Sequence, residues 1–164
     1  MNPNGNMTES IKSVFVYSGI PATSTTPYVS LLDCSKVSIK LICENATTVT
    51  GVAVSLLQAT AVAGTSAKAL AFSQVTQDLD CAASAVQTIA TVSSNTFNTD
   101  TTNSKRLLYI IDIDPATLDV NNGFDCVAVL LTGSAAAQTI QVVFELWPAR
   151  YKTPIGANPL LDNN

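Results

Sequence analysis

Lys36-Val37-Ser38-Ile39-Lys40-Leu41-Ile42-Cys43-Glu44 decides the fold class. Val37, Ile39, Leu41 and Cys43 occupy every second position, and Lys36, Ser38, Lys40, Ile42 and Glu44 fill the positions between. Side chains of a strand alternate between two faces, so this pattern describes a strand with one face against a core. Val52, Val54 and Leu56 repeat the pattern against Ala53, Ser55 and Leu57. Further strand-sized runs, rich in β-branched residues, fall at 14–17, 28–32, 69–77, 86–91, 106–113, 126–132 and 139–146.

Turn-forming clusters separate these runs: Ser18-Gly19-Ile20-Pro21, Asn45-Ala46-Thr47-Thr48, Ala63-Gly64-Thr65-Ser66, Asn121-Asn122-Gly123 and Gly133-Ser134-Ala135. The spacing predicts an all-β chain folded as a two-layer β-sandwich, with jelly-roll and Ig-like windings both open. Ala-rich stretches at 59–71 and 82–90 have helical propensity, which the interleaved Thr and Val and Gly64 lower. Asp114-Pro115-Ala116-Thr117-Leu118 suits one short helical turn, with Asp114 as cap and Pro115 in first position. Residues 93–104 are almost wholly polar and read as a long exposed connection, with an edge strand around Phe97.

No linker divides the chain, and its 164 residues suit one domain. We expect an N-terminal arm at 1–13, a sandwich at 14–151 and a C-terminal tail at 152–164. The arm is polar and aperiodic, and the tail carries Pro154, Gly156 and Pro159 before Leu160-Leu161. Such extended ends order best against a partner. Met1-Asn2-Pro3-Asn4-Gly5-Asn6 lacks the pattern of a secretory leader, so use within a cytoplasm is expected.

Composition removes several kinds of chemistry. The chain has no histidine, which excludes Ser-His-Asp and Cys-His catalysis and His-bearing zinc sites. Charged residues are 12% of the chain, against about 25% in a typical soluble protein, and eight basic residues face twelve acidic ones. That balance argues against a nucleic-acid groove, which needs a basic stripe. No run of about 18 apolar residues exists to span a membrane as a helix. Cys34, Cys43, Cys81 and Cys126 form no C-x-x-C pair and are expected to be small buried hydrophobes rather than zinc ligands.

Asp112 and Asp114 share a face by strand spacing, but their place before Pro115 suits capping and solvation better than acid–base work. Asp119-Val120-Asn121-Asn122-Gly123-Phe124-Asp125 partly matches a calcium loop. Its glycine is misplaced and no glutamate closes it, so a polar turn is expected. Neither nucleophile-elbow nor phosphate-loop motifs occur. No catalytic residue, cofactor site or metal site is therefore assigned. Abundant Ala, Ser and Thr with sparse charge instead favour a building block whose faces can be covered at low desolvation cost.

Three segments carry a resemblance: Gly64-Thr65-Ser66-Ala67-Lys68-Ala69-Leu70-Ala71-Phe72; then Phe97-Asn98-Thr99-Asp100 and Asn103-Ser104-Lys105, leading through Leu107-Leu108-Tyr109-Ile110 to Asn122-Gly123-Phe124-Asp125-Cys126; and Pro148-Ala149-Arg150-Tyr151. As a set they resemble the capsid decoration, or cement, proteins of tailed bacteriophages. The resemblance covers about residues 50–151. It implies a β-sandwich of jelly-roll type, without cofactor or active site, that oligomerises as a trimer or dimer on the outside of the virion. The partner it implies is the major capsid protein, in particles assembled in the bacterial host cytoplasm.

On that expectation Met7, Ile11 and Lys12 of the arm would lie across a neighbouring subunit. Leu160 and Leu161 would dock in a groove, and Trp147, Arg150 and Tyr151 would anchor an interface. Core packing is the alternative for Trp147. Two other functions stay open: another virion component, such as a head-fibre base or tail protein, and a carbohydrate-binding module using Trp147.

Overall fold

The computed structural model describes residues 11–46, 49–83, 86–133, 136–148 and 160. Two antiparallel sheets pack face to face as a β-sandwich. Among the described residues there is no α-helix.

The strands are β1 (Lys12–Gly19), β2 (Ser24–Thr25), β3 (Val29–Ser30), β4 (Cys34–Asn45), β5 (Ala53–Ala59) and β6 (Lys68–Ala69). They continue as β7 (Gln74–Asp78), β8 (Thr88–Thr91), β9 (Thr96–Asn98), β10 (Arg106–Ile113), β11 (Cys126–Thr132) and β12 (Gln138–Pro148). The first sheet runs β1-β12-β4-β10-β7-β8. The second runs β2-β11-β5-β6, with β3 also on β11 and β9 also on β5. Pairing is nested: β1 with β12, β2 and β3 with β11, β4 with β10, and β5 with β6 and β9. Chain segments entering and leaving the fold therefore lie side by side, and the connection from β5 to β10 closes the far end.

The alternation read in the sequence is the alternation of the core. Val37, Ile39, Leu41 and Cys43 of β4 are wholly buried, as are Val52, Val54 and Leu56 in and before β5. Across the first sheet an inner row runs Val14, Phe144, Ile39, Ile111. It meets Val54, Leu56, Val129 and Leu131 of the second sheet in one continuous cluster. Burying each such side chain is worth about 1.5–3 kcal/mol, so this layer supplies the main driving force.

The 69–77 run departs from the expected single strand. It splits into β6 in the second sheet and β7 in the first, because the chain crosses between layers at 70–73. Leu70 bonds back to the Leu56 carbonyl and Val92 N–H bonds to the Ser73 carbonyl. The 28–32 run shortens to β3, and β2 forms ahead of it at Ser24–Thr25, both as short pairings on β11. Residues 59–71 and 82–83 form turns and strand rather than helix. Asp114 does cap a short 3-10 turn, Pro115–Thr117, accepting the Ala116 N–H at 2.9 Å.

Candidate functional site

The sandwich has two outer faces, and they are finished differently. On the second sheet the outward side chains include Ala59, Cys126 and Ala128, paired in register across β5 and β11. Tyr28 and Val62 lie over them, and together with Leu57 they make a small second core. The turn after β5 holds this cover: Gly64, at φ +80°, would place a Cβ 2.9 Å from the Tyr28 ring. Only a residue tolerant of positive φ and lacking a side chain fits there.

On the first sheet the outward side chains form one row across all six strands: Phe15, Val143, Lys40, Ile110, Thr76 and Ile89. A second row carries Ile42 and Leu108. Phe15 is 57% exposed, Ile89 68% and Ile42 45%. Three charge pairs on this face form within the chain, while Asp78, opposite Leu108 in the second row, accepts the Asp80 N–H. Lys40 Nζ donates to Glu145 Oε1 at 2.6 Å, Lys36 Nζ lies 3.1 Å from Asp112, and Arg106 Nε lies 3.4 Å from Glu44. Each pair spans neighbouring strands, and the exposed ones add little stability. Their effect is to leave a largely apolar row in which the charge of Lys40 is neutralised by Glu145.

A concavity of about 540 Å³ lies beside this face and is lined by Phe72, Gln74, Thr76, Val92, Asp112 and Asp114 among others. Both carboxylates singled out in the sequence reach it, but each is engaged. Asp112 accepts from Ser38 Oγ at 2.7 Å and pairs with Lys36, while Asp114 caps its turn. Residues 119–125 fold as a polar turn with Gly123 left-handed. Asp119 accepts from Asn122 Nδ2 and pairs with Lys68, and these bonds from Lys68 and then Asn122 hold its carboxyl below the usual range. Among the described residues no group of three or more His, Cys, Asp or Glu side chains is placed to hold a metal ion.

The proposed interface residues fall in different places. Lys12 opens β1, exposed, and pairs with Leu146, one residue before Trp147; Ile11 sits half-buried just ahead of it. Trp147 is half-buried on β12 opposite Lys36, whose Nζ lies 5.5 Å from its ring centroid. So Ile11, Lys12 and Trp147 meet at one end of the first sheet. Leu160 is half-buried against the main core of its own chain. Met7, Arg150, Tyr151 and Leu161 lie outside the described residues. Among the described residues, which include all four cysteines, no disulfide forms: Cys43 and Cys126 are buried, Cys34 is half-buried and Cys81 is exposed, where the sequence predicts burial for all four.

Residues 93–104 are tied down more than an exposed connection would be. Thr99 is buried and accepts the Val52 N–H, and Tyr109 Oη accepts the Asp100 N–H at 2.7 Å. Asn45 Nδ2 donates to the carbonyls of Asp100 and Thr102, and Gln138 Nε2 donates to Asn45 Oδ1. The first two strings of the resemblance meet in this framework, and the third lies outside the described residues beyond Pro148. The Phe72 and Phe97 rings are 6.3 Å apart, Phe97 and Tyr109 5.2 Å, and Lys68 sits 4.1 Å over the Phe124 ring. They act here as scaffold.

Comparison with models of protein families, with curated proteins and with solved structures finds no match to this chain.

Proposed function

We propose that this protein is a structural component that decorates and cements the outer surface of a tailed-phage capsid by bridging major capsid protein subunits. The observation that carries the proposal is the first sheet's outer face: a largely apolar row across six strands, interrupted by Thr76 and by Lys40, whose charge is paired with Glu145 inside the chain. A face of that kind loses little desolvation energy when covered. The nested strand pairing supports the jelly-roll winding over the Ig-like one, since first and last strands are neighbours and each inner pair follows in turn. The resemblance of residues 50–151 to decoration proteins supports the same reading.

The mechanism is mechanical. One standard interface of about 1,600 Å² in total can be as weak as micromolar. Contacts to several subunits at once raise the effective affinity by orders of magnitude. Binding the expanded shell in preference to its precursor stabilises the expanded state by mass action.

Incubating the purified full chain with undecorated mature heads, sedimenting the particles and counting bound copies tests the proposal. A copy number set by the whole shell, with heads that survive heating better, is the expected result. A copy number set by a single vertex moves the protein to a head-fibre base or tail. Absence of binding overturns the proposal.

A further inference from the structure

We infer that the outer face of the first sheet pairs with the same face of a second copy of this chain, about a two-fold axis that lies in the interface plane, parallel to the strands, between β4 and β10. The inference concerns the free protein and does not depend on any shell.

Three observations carry it. The first is size. At about 4.8 Å between strands and 3.4 Å per residue, the six strands present about 800 Å² in plan, which matches the roughly 800 Å² per partner of a standard stable interface. The second is the arrangement of the stripe. It begins at Phe15 on one edge strand and ends at Ile89 on the other, both more than half exposed. A half-turn about that axis lays Phe15 of one copy near Ile89 of its mate, apolar on apolar, and Lys40, already paired to Glu145, over Ile110, with Ile42 close to the axis. An isologous contact needs this kind of self-matching.

The third is charge. The chain carries a net −4, so two copies repel in general. On this face Lys40 is held by Glu145, Lys36 by Asp112 and Arg106 by Glu44, and Asp78 in the second row is the charge left over. The repulsion is therefore weakest where the stripe is, and a highly charged partner finds its counter-charges already engaged. Edge-to-edge growth is the competing mode, and both edges of this sheet are blunted. β1 has a register shift between Phe15 and Tyr17, and β8 is only four residues long. Faces meet where edges do not.

Sedimentation equilibrium of the purified full chain, over a range reaching about 100 µM, reads the result against the affinity scale of stable pairs. The wild type should weigh twice the 17.2 kDa chain. Ile42→Asp and Phe15→Asp should each raise the dissociation constant at least about tenfold, since each places a charge in the apolar contact. Val120→Asp, at an exposed apolar residue away from this sheet, should leave the pair intact. Melting curves of all three variants check that they remain folded. A monomeric wild type overturns the inference, as does a trimer, or a dimer that survives both substitutions. A wild-type monomer whose Ile42→Asp form loses binding to phage heads assigns the face to the shell and overturns the pairing of copies. In that case the proposed function stands.

Discussion

The outer faces of the two sheets make a controlled comparison within one molecule. Both are built from alternating strands over a shared core, and both expose the positions that alternation leaves outside. On the second sheet these positions hold Ala59, Cys126 and Ala128, small enough for the chain to return over them with Tyr28 and Val62. On the first they hold Phe15, Ile42 and Ile89, which project too far to be roofed closely and which no described residue covers. Small side chains admit a cover supplied by the same chain, whereas large ones on an open sheet call for a cover from elsewhere.

Stripping the cover should have the largest effect. Tyr28→Ala removes the main side chain of the small core and leaves a cavity, costing about 3 kcal/mol. For a domain of this size that lowers the melting temperature by about 6–12 °C. A change below about 2 °C would mean that the cover is ornamental and the two faces are equivalent. Gly64→Ala tests the same cover from beneath. Its Cβ would meet the Tyr28 ring at 2.9 Å, on a backbone at φ +80°. A cost of about 1–2 kcal/mol is expected, read as a shifted denaturant midpoint.

The bare face should answer oppositely. Phe15→Ala and Ile42→Ala remove side chains that already stand in water, so each should change the stability of the dilute monomer by no more than about 0.5 kcal/mol. A loss above 2 kcal/mol at either position would show that the face is already covered, and the contrast between the sheets would fail.

What the sequence made legible follows from the range over which its signals act. Strand alternation is local, so β4, β5, β10, β11 and all but the ends of β12 could be read directly, and so could the Asp114 cap, which involves neighbours only. Crossing between sheets was hidden in a change of parity: Leu70 and Phe72 are even, Val75 is odd, and no single strand can bury all three. The anchoring of residues 99–102 was also present as a signal. Asn45 extends the inward series of Val37 to Cys43, and Gln138 stands in phase with Ile140 to Leu146. Two polar side chains in inward positions have to find partners, and they find each other in register across β4 and β12. The candidate site was less legible. Phe15, Ile42 and Ile89 come from three strands far apart in the chain, and only the pairing order of the sheet sets them in adjacent rows. Trp147 drew attention by type, yet it sits at the end of the sheet against Lys36, not in the stripe.

The thiols sharpen the comparison with almost no disturbance to stability. Cys126 lies beneath the cover of the second sheet, and its Sγ donates to Asp125 Oδ1 at 3.1 Å, while Cys81 is exposed. In the native protein an alkylating reagent should modify Cys81 first and Cys34 next. Cys43 and Cys126 should react only through opening events. Burial raises the Cys43 thiol to about 12, and burial followed by the nearby Asp33 charge raises Cys34 to about 11. Cys81 is also raised, by desolvation first and then by Asp78. A raised pKa means less thiolate at neutral pH, so Cys81 should react more slowly than a free cysteine at pH 7 and speed up about tenfold per pH unit toward its pKa. The linked effect on folding has a definite sign. An unfolded thiol ionises near pH 9, so the stability from keeping Cys34 and Cys43 neutral is fully present below that pH. It is lost as pH rises through about 11 and 12. Mass-spectrometric labelling at pH 7 and 8 reads the order of reaction. Cys126 reacting as fast as Cys81 in the wild type would place the second sheet's outer face in water and make both faces alike. Acceleration of Cys126 in Tyr28→Ala alone, with Cys43 unchanged, would locate the difference between the faces in that one aromatic ring.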